Sequence, residues 1–202
     1  MTVYYKDFDG NGSVDPVVCY YIDSLSHPVY SRDDLTEQLP ALKKKFIEYK
    51  KYAVATINDV FLPEQLKDAG LLKAEIMETV YLENDGDKGF VLHHLPLPAQ
   101  YSPVYGIIAA DVNGDGNKDI LLAGNNSWTR IKFGRYQSNH GVVLPGDGKG
   151  HFSYLSQPES GLSIRGNVRT LQQIMAGKTP SIIVGINDSN ALLLQTFLNK
   201  KK

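Results

Sequence analysis

Two stretches carry residue types and spacings that could do chemistry: Asp7-Phe8-Asp9-Gly10-Asn11-Gly12-Ser13-Val14-Asp15 and Asp111-Val112-Asn113-Gly114-Asp115-Gly116-Asn117-Lys118-Asp119. In both, oxygen-bearing side chains fall at loop positions 1, 3, 5 and 9 and glycine at 4 and 6. That is hard-cation chemistry, because Ca²⁺ takes six to eight oxygens at roughly 2.3–2.6 Å from carboxylates, amides and carbonyls. The candidate ligands are Asp7, Asp9, Asn11, Ser13 and Asp15 in loop one, and Asp111, Asn113, Asp115, Asn117 and Asp119 in loop two. Glycine at position 6 permits the sharp turn that offers the position-7 carbonyl, Ser13 or Asn117, to the ion. An EF-hand would place a bidentate Glu at position 12, where Val18 and Leu122 stand instead. Each loop runs straight into apolar residues, so the pattern predicts strand–loop–strand sites. The competing reading is a pair of polar Asp/Gly turns that bind nothing; two copies in the same phase, both entering strands, weigh against it.

The elements that must position these loops are mostly strands. Residues 79–82 with 90–95, and 141–144 with 152–155, flank Gly/Asp turns and read as β-hairpins. The first acidic loop lies much farther from its hairpin than the second does, so the first repeat holds an insertion over 31–70. Ser31-Arg32-Asp33-Asp34 resembles a capping box. Leu35, Leu39, Leu42, Phe46 and Tyr49 then recur at helical steps, with Pro40 splitting the run and a further helix from Pro63 to Gly70. This segment is expected to be α and additional to a β repeat. Strands over 168–174, 181–186 and 191–197 form a third unit without an acidic loop. Loop two, between the apolar runs 106–110 and 120–123, is expected to lie between strands buried on both faces. It should matter more than loop one, which is near the chain start where fraying is easy.

Composition excludes several functions. A chain of 202 residues with 42% hydrophobic and 21% charged residues is an ordinary globule. A formal net charge of −1 gives no electrostatic reason to expect nucleic acid or an anionic membrane as a partner, and no apolar run reaches membrane-span length. Met1 leads almost directly into the first acidic loop with no secretory signal, which points to a cytosolic protein or the later part of a longer chain. The single cysteine, Cys19, is expected to be a buried, inert thiol. No nucleophile–base pair, H-E-x-x-H or phosphate loop is present. His93 and His94 are adjacent and would face opposite sides of a strand. Residues 125–136 carry the only Trp, Trp128, with Arg130 and Arg135; this loop either recognises a partner or caps the core with its indole.

With both repeated elements on view, the sequence resembles the FG-GAP/VCBS repeats, the blades of integrin-α-like β-propellers. Both full units meet the pattern of acidic loop, apolar strand and Gly-rich hairpin ending in Phe90 or Phe152. Residues 125–141 and 31–70 also resemble C-terminal parts of large bacterial propeller proteins. The resemblance implies a mainly β fold over 1–202, a partial propeller of about three blades built from four-stranded antiparallel sheets. Blade one would span 1–98 with the helical insertion, blade two 99–160 and a degenerate blade three 161–202. Propellers need at least four blades to close, so the chain is expected to be a fragment or to self-associate through open sheet edges. The implied function is a non-catalytic, Ca²⁺-binding module outside the cytoplasm (extracellular, periplasmic or on the cell surface) that binds protein or carbohydrate. The alternative is an accessory or catalytic domain of a polysaccharide-processing enzyme.

Overall fold

The computed structural model describes residues 1–195; the end of the last expected strand (196–197) and the terminal lysines lie outside the described residues. The chain is mainly β and falls into two compact units, Met1–Met77 and Glu78 onward. The expected first blade crosses this division, since its hairpin lies in the second unit.

In the first unit, β1 (Thr2–Lys6), β2 (Asp15–Ile22), β3 (Leu25–Pro28) and β4 (Gly70–Lys73) form one antiparallel sheet in the order β3-β2-β1-β4. The chain start does not fray onto an edge: β1 is an inner strand bonded to β2 and β4, and the Met1 ammonium donates to the Ala74 carbonyl at 3.0 Å. β4 departs from the sequence expectation, which ends a helix at Gly70 and places no strand after it. That glycine instead starts a strand, where a Cβ would run into the ring of Tyr5.

Between β3 and β4 come α1 (Arg32–Gln38), α2 (Leu42–Lys45), α3 (Tyr49–Ala53), α4 (Ile57–Val60) and α5 (Pro63–Lys67). Ser31 closes the expected capping box with Asp34, and Thr56 closes a second one with Asp59 at α4. Helices this short are not stable alone in water, so they exist because they are packed. Leu35, Leu39, Leu42, Phe46, Ala55, Ile57, Val60 and Phe61 cover Val17 and Cys19 of β2 in a single core. The segment is therefore no addition to a finished β unit; it supplies most of that unit's core. Tyr49 breaks the expected apolar ridge: it is exposed and donates its hydroxyl to Asp33 at 2.9 Å. Cys19 is fully buried, and burial pushes its thiol pKa up, as its apolar setting predicted.

The second unit holds β5 (Val80–Asn84) and β6 (Phe90–His94), then β7 (Val104–Ala110), β8 (Asp119–Gly124) and β9 (Val142–Leu144), then β10 (Asn167–Ala176), β11 (Thr179–Asn187) and β12 (Leu192–Gln195). A short helix, α6 (Gln157–Ser160), precedes β10. Each group is antiparallel in chain order. Bridges from Gly146 to Phe152 and from Val143 to Leu155 bring 152–155 alongside β9, as the second expected hairpin. β8 is buried along nearly its whole length, whereas β7 alternates buried and exposed. Only the outgoing strand is thus enclosed on both faces, which corrects the expectation for the 106–110 run. Ile108, Ala110, Leu121 and Ala123 share a core with Val168, Leu171, Ile182 and Val184. Among the described residues the sheets stay open, and none closes into a barrel.

Candidate metal centre

Each acidic loop is the tip of a hairpin. Loop one joins β1 to β2 and loop two joins β7 to β8, and in each the position-9 Asp opens the outgoing strand, opposite Lys6 or Ala110. The paired glycines have positive φ in both: 76° and 88° at Gly10 and Gly12, 81° and 92° at Gly114 and Gly116. A side chain disfavours that backbone region, which is the local reason for glycine at positions 4 and 6.

The same hydrogen bonds recur in both loops. The position-1 carboxylate accepts from the amides of positions 4 and 6: Asp7 from Gly10 (2.7 Å) and Gly12 (2.8 Å), Asp111 from Gly114 (2.6 Å) and Gly116 (3.0 Å). The position-5 side chain accepts from the position-7 amide, Asn11 from Ser13 and Asp115 from Asn117, both at 2.7 Å. The position-9 carboxylate accepts from the position-2 amide, Asp15 from Phe8 at 3.0 Å and Asp119 from Val112 at 2.9 Å. Amides aimed at the position-1 carboxylates stabilise the ionised form, so Asp7, chiefly through Gly12, and Asp111, chiefly through Gly114, titrate below the usual carboxylate range.

These shifts set a pH dependence. A depressed carboxyl pKa contributes stability that is present above the unfolded value, near 3.8, and lost as pH falls through the folded value. In thermal melts the contribution of these two carboxylates should therefore be present in full above about pH 5 and be lost progressively below it. Asp7→Asn and Asp111→Asn should flatten that loss. Equal acid sensitivity in both variants and the native protein would show that the amides do not hold these charges.

The two loops differ in what their acids can hold. In loop one, Asp7, Asp9 and Asp15 each present an oxygen, and the three lie within 4.8 Å of one another. Ligands at roughly 2.3–2.6 Å from a common ion stand no farther apart than about 5 Å, so the trio has the span of a Ca²⁺ cage. Carboxylate oxygens keep lone pairs after accepting one N–H, and the Asn11 side chain and Ser13 carbonyl are the further oxygens in reach by loop phase. The residues fit the ion. Among the described residues no second acidic trio is gathered this closely, so Asp111, Asp115 and Asp119 are not brought together to the same degree. Asp119 is fully buried and accepts from the Val112 amide and from the Gly146 amide at 3.0 Å, much as the buried Asp15 accepts from Phe8 and Gln38. Asp115 is tied sideways, accepting from the Asn113 side chain (3.0 Å) and the Asn117 amide. Loop one thus gathers three carboxylates, whereas loop two carries the neutral Asn113 at position 3 and a position-9 carboxylate buried between two amides.

Two supports of loop one were not legible in its sequence. Phe8 stacks on Phe61, ring centres 4.0 Å apart, and Gln38 of α1 donates to Asp15 at 3.4 Å. Both partners come from the helical segment, and only the apolar residue at loop position 2 hints at one of them. The remaining candidates settle into ordinary roles. His93 pairs with Glu83 (2.9 Å) and His94 with Glu78 (2.7 Å), and they do not converge on one point. Asp147 in the Gly-rich hairpin turn accepts from the amides of Lys149 and His151, closing a turn with no helix behind it. Trp128 is 73% exposed, so it does not cap the core. No family model, curated protein or solved structure matches this chain.

Proposed function

We propose that the protein is a non-catalytic, calcium-stabilised β interaction module of the FG-GAP/VCBS propeller type. The observation that carries this reading is the recurrence of one loop framework at two hairpins, with a carboxylate trio of Ca²⁺ span in the first. The propeller assignment is supported by the meander β7-β8-β9 with 152–155 as a fourth line, the strand order of a blade. Asp7, Asp9, Asn11, Ser13 and Asp15 hold the principal ion; Asp111, Asn113, Asp115, Asn117 and Asp119 form a weaker or purely structural counterpart. The module works at the cell surface, in the periplasm or outside the cell, with a protein or carbohydrate as partner. Its open sheet edges offer self-association as a route to closure.

Calcium titration by calorimetry tests the reading. Binding should appear at up to millimolar Ca²⁺, with Asp9→Ala removing most of it, because Asp9 is exposed and its loss leaves the core intact. Asp115→Ala should remove less. Chelation should cost on the order of 1 kcal/mol, about 2–4 °C in Tm for a module of this length. Absence of binding at millimolar calcium would end the metal-site reading.

A further inference from the structure

The loop from Asn126 to Gln137 carries a chemistry that the acidic loops do not share. Ile131 is 99% exposed at the apex of a 3-10 turn over 131–133, with Trp128 exposed beside it and Phe133 half exposed. Interspersed with them are Arg130, Lys132 and Arg135, and no Asp or Glu occurs between Asp119 and Asp147. The whole-chain charge of −1 therefore conceals a local cationic stretch. Arg130 and Arg135 belong to none of the ion pairs among the described residues. Trp128, Ile131 and Arg135 converge on one open cleft of about 470 Å³, together with Ser127, Thr129 and Gly134.

The polar groups of that cleft are mostly spent internally. The Ser127 hydroxyl donates to Asn167 (2.9 Å) and accepts from Gln137 (2.7 Å), while the Thr129 hydroxyl donates to the Gly134 carbonyl. What remains for a partner is an indole, an aliphatic side chain and guanidinium groups. A neutral sugar, which needs many hydroxyl partners, is poorly served; an amphiphile with an anionic head is well served. The loop's base is also fixed. Asn126 and Tyr136 exchange backbone hydrogen bonds at 2.8 and 2.9 Å. The buried side chain of Asn125 donates to the carbonyls of Asn139 and Gly166 and accepts from the Asn139 amide. A tip presented from a rigid base loses little freedom on docking.

We infer that this loop docks the protein onto an anionic lipid surface. Trp128, Ile131 and Phe133 enter the headgroup–acyl boundary, where aromatic side chains are favoured. Arg130, Lys132 and Arg135 face the lipid phosphates, each cation strengthening attachment about fivefold. The attachment is peripheral; no helix among the described residues is long and apolar enough to cross a membrane.

Trp128 is the only tryptophan, so its fluorescence reports this loop alone. With vesicles of phosphatidylcholine containing phosphatidylglycerol, its emission should shift to the blue and the protein should sediment with the vesicles. Added salt should weaken both effects, and phosphatidylcholine alone should bind far less. Replacing Arg130, Lys132 and Arg135 together by Gln should lower partitioning on the order of a hundredfold. Ile131→Ser should lower it further, with the melting temperature unchanged because these side chains are exposed. The inference is overturned by the absence of a blue shift with anionic vesicles, by equal binding to neutral ones, or by binding that ignores the triple substitution. It is also overturned if a soluble acidic polysaccharide or an acidic peptide gives the shift and the vesicles do not.

Discussion

Asp119→Ala should unfold or severely loosen the second unit. Asp119 is fully buried, and its carboxylate pairs the amide of Val112 in the acidic loop with the buried amide of Gly146 in the hairpin turn. Removing it strands two backbone donors at once. At about 1–3 kcal/mol for each donor left unsatisfied, with a charged acceptor at the upper end, the expected loss is about 3–5 kcal/mol. Asn should not rescue the site, because a carboxamide offers one acceptor and one donor end where two acceptors are needed. The exposed Asp115 at the same loop should tolerate Asn far better. Chemical denaturation followed by circular dichroism gives the comparison. An Asp119→Ala protein within about 1 kcal/mol of the parent would show that water replaces the carboxylate, and that Asp119 is not what joins the two turns.

Phe61→Ala should do comparable damage to the first unit, and by a different physical route. Phe61 is buried and its ring lies flat on Phe8, ring planes 21° apart. Truncating a buried Phe costs about 3–5 kcal/mol through lost burial and the cavity left behind. Phe8 is loop position 2, and its amide is the one held by Asp15, so the carboxylate trio should loosen as the core does. Hydrogen exchange of the β1 and β2 amides should accelerate, and calcium affinity should fall even at temperatures where the variant remains folded. Phe61→Leu, which keeps most of the apolar volume, should recover stability more than affinity. Unchanged calcium affinity in a destabilised Phe61→Ala protein would show that the loop is set by its own hydrogen bonds alone.

What could be read from the sequence divides along a physical line. The acidic loops were legible because their conformation is local: Gly10, Gly12, Gly114 and Gly116 sit at positive φ, and the bonds that close each loop span at most seven residues. The hairpin turns and the Ser31 capping box were legible for the same reason. The distant supports of the two loops were not. They are Gly146, far along the chain, donating to an oxygen of Asp119, and Gln38 and Phe61 arriving from a helical segment that looked dispensable. β4 gave no signal because Leu71 and Leu72 are exposed on an edge strand paired, among the described residues, with β1 alone. Asn125 gave no local signal either, although it is buried at φ 95° and ties Asn139 and Gly166 together.

Cys19 is the one thiol in the chain, and it lies under the helices that complete the first core. A thiol reagent cannot reach it unless those helices lift away, so its labelling rate is a clock for that opening. When closing is fast relative to labelling, the observed rate is the intrinsic thiol rate scaled by the population of open molecules. An ion on Asp7, Asp9 and Asp15 would slow the clock by the factor with which it favours the closed unit. A single buried sulfur thus reports the opening of the first unit without a label being added to it.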